Sequence, residues 1–447
     1  MNLDKPNFTI ERLGPAQIES PLIESYGRSS RIFVGDDVRT LYDTKGYSWH
    51  HQEPLRGIDN INLEVAGPRE FIYFDPAETR AAIVTCGGLC PGLNNVIRGL
   101  VHGLSLQYRI KEVLGIRYGY AGMVAGGPPP IPLTLDLVES VHSQGGTFLG
   151  SSRGPQPIEA MVDFLRERQI NLLFTIGGDG TQRGSMAIVE AVRAAEYPLA
   201  VIGVPKTIDN DISYVEKTFG FETAFSIANE VLKAAHAEAK GAFNGVAIVK
   251  LMGRHSGYIT TLAALANGNV NFALVPEVAF DLEGPKGFLQ ALQRRLERRG
   301  HAVVVVAEGA GQDLLADEVA RLGKDASGNQ RLADVGLALR GAVERHFKER
   351  SIPVNVRYID PSYIIRSAPA TSNDAVFCLQ LAQHAVNAGM SGRTNMLVGV
   401  WKNTFTHVPL WEVVKQRKKL DPAGPFWLSL MQATGQPFSL KNDTPPA

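Results

Sequence analysis

Residues Leu172–Asp211 read LLFTIGGDGTQRGSMAIVEAVRAAEYPLAVIGVPKTIDND. Two short apolar runs, LLFTI ending at Ile176 and LAVIGV ending at Val204, read as buried parallel strands. The helical stretch RGSMAIVEAVRAA, Arg183–Ala195, lies between them. Each strand delivers a motif at its carboxyl end, GGDGT (Gly177–Thr181) after the first and PKTIDND (Pro205–Asp211) after the second. Ligands of open α/β sheets bind at such ends. Glycines, carboxylates and a lysine around one phosphate-sized space suggest magnesium-assisted phosphoryl transfer to a hydroxyl.

The same alternation continues on both sides. Upstream come the strand AAIVTC from Ala81, the GGLCPG turn, the helical NNVIRGLVHGL and the strand KEVLGIR. Downstream a second series opens with GVAIVKLMG from Gly245, then NFALVPEV, the helix GFLQALQRRLERRG, the strand HAVVVVAEGAG and PVNVRYID. Strands alternating with helices predict an α/β protein with parallel sheets, and two series predict two doubly wound, Rossmann-like lobes with a cleft between them. The first 80 residues carry Pro and Gly punctuation and no sustained period, so they read as an extension that wraps or docks.

Length and composition agree with this organisation. A chain of 447 residues is too long for one average domain. Its 45 basic and 45 acidic residues balance, giving no electrostatic reason to expect nucleic acid or an anionic membrane as a partner. Three cysteines, Cys86, Cys90 and Cys378, are too few for a disulfide framework, and a reducing cytoplasm is the expectation. MNLDKPNFTIERL lacks the apolar core of a signal peptide, and runs such as AVVVVA from Ala302 are far too short to cross a bilayer.

Several constellations bear chemistry. In the turn holding Gly87, Gly88 and Gly92, bare backbone can approach phosphate oxygens, though a plain tight turn reads equally well. Neither GxGxxG nor GxxxxGK[ST] occurs there, so the usual dinucleotide and P-loop readings lose support. Cys86 and Cys90 lack a convincing metal spacing and read as packing or loop residues. In GGDGT, Asp179 can hold magnesium and Thr181 can donate to a phosphate; a structural turn is the alternative. Asp209 and Asp211 would share a face if extended, though a loop could aim them differently and a capping or turn role is the alternative, and phosphoryl transfer needs one carboxylate to deprotonate the hydroxyl. Asp209 is the expected base and Asp211 a helper in the magnesium shell. Arg254 in MGRHSG (Met252–Gly257) emerges at another strand end, suited to charge on a transferring phosphoryl group. Its neighbour His255 reads as a helix-start or hydrogen-bonded residue. Arg357 and Arg366 flank Tyr363 in RYIDPSYIIR and can bind a fixed phosphate, though by themselves they read equally well as solvent-facing charges, whereas RRLERRG from Arg294 reads as a solvated helix face.

Taken together, TCGGLCPGLN, GGTFLGSSRGPQ, GGDGT, PKTIDND and MGRHSG, followed by AEGAG and YIDPSYIIR, resemble the phosphofructokinase family in its order, from roughly Ala81 to Trp401. The resemblance implies phosphoryl transfer to the 1-hydroxyl of fructose 6-phosphate. It implies that Gly87, Arg153, Asp179, Gly180, Thr181, Gly184 and Lys206 hold the donor, with Mg2+ at Asp179. On the acceptor side it implies Thr207, Asp209, Asp211, Met252, Gly253, Arg254, Glu308, Arg357, Tyr363 and Arg366. Asp209, Arg254, Thr207 and Arg153 are the residues expected to act in catalysis. The lobes would comprise residues 81–220 plus 364–415 for the nucleotide, and 221–363 plus 416–447 for the sugar phosphate and C-terminal segment, with residues 1–80 as the extension. Short bacterial members carry a histidine where Tyr363 aligns, and an arginine from a neighbouring subunit near Gly245; this chain resembles the longer branch.

Donor choice rests on two positions. Pyrophosphate-using members carry Asp in place of Gly180 together with the lysine, and short ATP enzymes carry glycine at both. Gly180 leaves room for ATP, and Lys206 serves either donor, so the expectation is an ATP-dependent 6-phosphofructokinase, with the pyrophosphate-dependent phosphotransferase as the alternative. The resemblance also implies a homo-oligomer, tetramer or dimer.

Overall fold

The computed structural model describes residues 6–28, 31–42, 62–326 and 328–443. They form two compact units. The first comprises Met1–Thr207, Ile212–Phe219 and Pro369–Arg417, and the second comprises Ile208–Asp211, Gly220–Ala368 and Lys418–Ala447. The division differs from the expected one at several places: the described part of residues 1–80 goes with the first unit, as do residues 416–417, whereas Ile208–Asp211, the second half of PKTIDND, goes with the second, together with Gly220 and residues 364–368.

In chain order the main strands are β1 (Arg39–Leu41), β2 (Asn62–Val65), β3 (Arg80–Thr85), β4 (Glu112–Ile116), β5 (Ile131–Pro132), β6 (Leu172–Gly177), β7 (Ala200–Pro205), β8 (Gly245–Leu251), β9 (Phe272–Leu274), β10 (His301–Ala307), β11 (Asn355–Ile359), β12 (Met396–Trp401) and β13 (Thr404–Pro409). The helices used below are α1 (Leu93–His102), α2 (Asp179–Ala194), α3 (Phe221–Gly241), α4 (Tyr258–Asn267), α5 (Phe288–Arg299), α6 (Val335–Glu349), α7 (Ser362–Arg366) and α8 (Ser372–Met390).

The first unit is built on a nine-stranded sheet of order β1-β2-β13-β12-β7-β6-β3-β4-β5. Its centre, β12 to β4, is parallel, and its flanks are antiparallel. Every residue of β6 and of β7 is buried, which is why these segments read as unbroken apolar runs rather than alternating ones. Ala82, Val84, Leu173 and Val201 face one layer, packed with Ile188, Val189 and Val192 of α2. On α1, Gly92 and Gly99 let that helix approach α8 closely. A Cβ at Gly92 would stand 2.7 Å from Cys378 Sγ, and one at Gly99 2.7 Å from Ala382 Cβ.

The segment before Arg80 joins this sheet through β1 and β2, with β2 paired to β13; residues 43–61 lie outside the described ones. Charges clamp it. Arg393, 1% exposed, donates to Glu64 and, at 2.7 Å, to Asp36. Arg69 and Arg12 also reach Asp36, at 2.9 and 2.6 Å, and His407 Nδ1 lies 2.9 Å from Glu64. Despite burial, the guanidinium groups and His407 hold Glu64 well below the ordinary carboxylate range, and Asp36 is lowered to about 2. Burial lowers His407 from its ordinary 6.5 to about 4. All three groups bind protons less readily folded than unfolded, so the unfolded chain takes up more protons as pH falls. The stability they contribute is therefore complete above pH 6.5 and is lost below it, first through His407 and then, below the ordinary 4.5 of a glutamate, through Glu64 and Asp36. The thermal midpoint should fall between pH 6.5 and 4 as His407 becomes charged, and further below pH 4.5 as Glu64 and Asp36 take up protons; a midpoint that stays flat below pH 4.5 would refute the clamp.

The second unit carries a four-stranded, wholly parallel sheet of order β9-β10-β8-β11. Strict alternation sorts its side chains. Ala247, Val249, Leu251, Val303 and Val305 face α3 and α4, and Val246, Ile248, Val304 and Val306 face α5 and α6. Along α3 the buried positions Phe221, Ala224, Ala228, Leu232, Ala235 and Ala239 recur every three or four residues, and the alanines among them let the helix lie close on the sheet. Each buried valine contributes roughly 1.5–3 kcal/mol relative to exposure. Among the described residues, no helix is long and apolar enough to cross a membrane.

Candidate active site

In the first unit, the carboxyl ends of β3, β6 and β7 bring their motifs together. Gly87 follows β3 in the left-handed region (φ +87°), and its N–H donates to Ser152 O at 3.0 Å while Ser151 Oγ donates back to Gly87 O at 2.6 Å. The GGLCPG turn and the SSRGPQ loop are thereby tied to each other. A Cβ at Gly88 would lie 3.1 Å from the Arg153 guanidinium, and one at Gly87 would lie 3.0 Å from Lys206 Nζ. Lys206 is 6% exposed, its backbone N–H donates to Gly177 O at 3.0 Å, and its ammonium donates to Gly88 O at 2.6 Å. Two cations thus stand over a turn of bare backbone, an arrangement made for phosphate.

Asp179 opens α2, where a carboxylate and the helix dipole attract each other. Arg417 reaches its Oδ2 at 3.2 Å and Arg183 its Oδ1 at 3.4 Å. The next residue, Gly180, faces open space, with nothing within 4 Å of where a Cβ would be. Thr181 is buried and turns its N–H to Gly178 O at 2.9 Å. Gly184 has a packing duty: a Cβ there would stand 2.7 Å from the ring of buried Tyr120, whose hydroxyl donates to Thr181 O at 2.9 Å. Cys86, Cys90 and Cys378 are all buried and joined in no disulfide, and burial pushes the Cys86 thiol up to about 11, against the pull of Lys206 and Thr181. Thr207 O accepts the hydroxyl of Thr218 at 2.7 Å.

In the second unit the segment holding Asp209 and Asp211 is a loop and not an extended strand. Asn210 between them is left-handed (φ +53°), so the segment turns instead of extending. Asp209 Oδ2 accepts the backbone N–H of Arg254 at 3.1 Å, and its carbonyl accepts the hydroxyl of Ser256 at 2.7 Å. The carboxylate is thus aimed by the MGRHSG turn. Asp211 is buried, and its carbonyl accepts the N–H of Lys418 at 2.9 Å. Met252 is buried, and Gly253 is left-handed (φ +127°), where a Cβ would strike Ser256 O at 2.5 Å. The Arg254 guanidinium donates to the carbonyl of Gln330. His255 lies just before α4, which starts at Tyr258.

Glu308 follows β10, and burial pushes its carboxyl up although Arg254, Lys250 and Arg366 draw it down. Arg357 is an exposed residue of the edge strand β11. Tyr363 is 76% exposed on α7, and the Arg366 guanidinium lies 4.8 Å from the centre of its ring. At Gly245 no side chain fits at all, since a Cβ would fall 2.0 Å from Ala239 O.

One residue escaped the sequence reading: Lys250, the single charge within the apolar strand GVAIVKL. Its ammonium lies 2.7 Å from Asp334 and 3.0 Å from Asp360. Burial alone would lower its pKa, but the bonds to Asp334 and Asp360 raise it above the ordinary lysine range. A charge in an otherwise apolar strand was the available signal.

Among the described residues there is no cluster of three or more histidine, cysteine, aspartate or glutamate side chains that could hold a metal ion by itself. One carboxylate, Asp179, at a helix start beside the glycine turn nonetheless suits Mg2+, which takes one or two protein oxygens and completes its shell with phosphate and water.

A family model described as Phosphofructokinase matches residues 80–389. A protein of Borreliella burgdorferi named ATP-dependent 6-phosphofructokinase is 44% identical over 450 residues, covering 99% of this chain and 98% of its own. One of the same name from Amycolatopsis methanolica is 45% identical over 444 residues, covering 98% and 96%. Among solved structures, a pyrophosphate-dependent phosphofructokinase from Marinobacter aquaeolei superposes with a TM-score of 0.66 at 22% identity, over 83% of this chain and 93% of that one. That likeness concerns the fold alone.

Proposed function

The chain belongs to the phosphofructokinase family, and from that premise we propose that it transfers the γ-phosphoryl group of ATP to the 1-hydroxyl of fructose 6-phosphate, giving fructose 1,6-bisphosphate and ADP. The observation that carries the choice of donor is Gly180: the space beside it is open, where a carboxylate would repel an α-phosphate by about 4 kcal/mol at 4 Å and an effective dielectric of 20. The names of the near full-length relatives support the same reading.

In this mechanism Gly87, Gly180, Thr181 and Gly184 line the donor, and Arg153 and Lys206 neutralise its phosphate charge. Asp179 would hold Mg2+, which supplies charge neutralisation across the donor phosphates when bound. Asp209 takes the proton of the attacking hydroxyl, its Oδ2 held by the N–H of Arg254 so that Oδ1 serves as the base. Thr207, Asp211, Met252, Gly253 and Glu308 surround the sugar, and Arg357, Tyr363 and Arg366 bind its 6-phosphate, with forked hydrogen bonds from the two arginines. Arg254 meets the charge that develops on the transferring group, which requires that its guanidinium leave the Gln330 carbonyl. Most of the acceleration comes from positioning and electrostatics. We place the enzyme in the cytoplasm, a reading supported by three buried cysteines joined in no disulfide, and as a homo-oligomer, a reading supported by the family.

The test is a coupled assay of fructose 1,6-bisphosphate formation with fructose 6-phosphate, magnesium and either ATP or pyrophosphate. Turnover with ATP and none with pyrophosphate is expected. Turnover with pyrophosphate alone would reverse the donor reading and make Lys206 the deciding residue.

A further inference from the structure

An apolar residue at position 250 would satisfy the packing of β8 as well as lysine does, and a buried ammonium is expensive unless it is paired. Lys250, 12% exposed, is paired twice, with Asp334 and Asp360. Both carboxylates organise the start of a helix. Asp334 caps α6, accepting the N–H of Leu337 at 3.1 Å, and also accepts the hydroxyl of Tyr358 at 2.8 Å. Asp360 Oδ1 accepts the N–H of Ser362 at 3.0 Å and its hydroxyl at 2.5 Å, at the start of α7. That helix has five residues, too few to hold its own conformation, and it presents Tyr363 and Arg366. Ile365, fully buried, pins it to the core, Asp360 fixes its start, and Lys250 in turn holds Asp360. Two residues beyond Lys250 the same strand delivers Met252, Gly253 and Arg254.

We propose that Lys250 is a positioning residue for the acceptor: one ammonium gripping two carboxylates sets where α7 presents Tyr363 and Arg366 beside the end of β8, and so sets the affinity for the sugar phosphate. The inference rests on the reading of these residues as the sugar-phosphate set. Lys250 itself touches no reacting atom. Its loss should therefore appear in the binding of one substrate and not in the chemical step.

The experiment is steady-state kinetics on the full-length protein. Lys250→Met should raise the KM for fructose 6-phosphate by about 10- to 100-fold, the range of a lost charged hydrogen-bond pair, with kcat and the KM for ATP within about threefold of wild type. Lys250→Arg keeps a cation able to bridge both carboxylates and should recover most of the loss. A merely structural lysine would lower the thermal midpoint and the active fraction and leave both KM values unchanged, which overturns the proposal. Should Lys250→Met not fold, Asp360→Asn tests the same link from the half-exposed partner: a selective rise in the KM for fructose 6-phosphate supports it, and an unchanged one overturns it. A wild-type protein inactive on fructose 6-phosphate with both donors would instead overturn the reading of the reaction.

Discussion

Replacing Asp209 by asparagine should lower kcat by roughly 10²- to 10⁴-fold, the usual worth of a positioned general base. Asparagine preserves the shape of the side chain, and its amide oxygen still accepts the backbone N–H of Arg254 that now lies 3.1 Å from Oδ2. The hydroxyl of Ser256, bonded to the backbone carbonyl of residue 209, is untouched by the exchange. The turn keeps its form, and what disappears is the ability to take a proton. Both KM values should therefore stay within about threefold, and the thermal midpoint should hold, because a loss confined to kcat marks an interaction made only in the transition state. A kcat within about threefold of wild type would remove Asp209 from the mechanism. A variant whose kcat and thermal midpoint both collapse would point to a structural carboxylate instead.

The second large effect is expected at Gly180. Here the structure makes the experiment unusually clean, since a Cβ meets nothing within 4 Å and the backbone is not in the left-handed region. Aspartate at this place in the first turn of α2 interacts favourably with the helix dipole, so Gly180→Asp should fold at least as well as wild type. The added charge acts on the donor alone. With a repulsion of about 4 kcal/mol at 4 Å, partly relieved by Arg153 and Lys206, kcat/KM for ATP should fall by about 10²- to 10³-fold while the thermal midpoint stays level or rises. Pyrophosphate, which has no α-phosphate bearing a nucleoside, should lose less, so the ratio of the two activities shifts toward it. If ATP turnover is unaffected in the folded variant, the donor phosphates do not pass Gly180, and another position governs the choice.

Much of this molecule was legible in one dimension because the relevant forces act between near neighbours. Unbroken apolar runs such as LLFTI and LAVIGV can be satisfied only by burial on both faces, and β6 and β7 are buried along their whole length. The alternation of such runs with helical stretches announced parallel sheets, and the motifs followed strand ends, where α/β proteins keep their sites. The identity of the chemistry was also legible, since Asp179, Lys206, Asp209 and Arg254 stand in short segments whose residue types suit phosphate and little else.

Tertiary structure decided which of these groups meet. Nothing local in PKTIDND says that the N–H of Arg254, 45 residues away, would hold the Asp209 carboxylate. Lys206 could have been a solvated lysine; folding buries it and hands its ammonium to a carbonyl 118 residues distant. Gly184 makes room for the ring of Tyr120, whereas Gly180, equally bare on paper, faces open space. Lys250 looked like an interruption of an apolar strand until the sheet order set β11 beside β8 and brought Asp360 within 3.0 Å of it. The physical reason is common to all of these. Propensity and burial period are properties of a few consecutive residues, but whether a charge is paired or a glycine crowded depends on strand order and loop closure, which bring together residues that the chain itself keeps far apart.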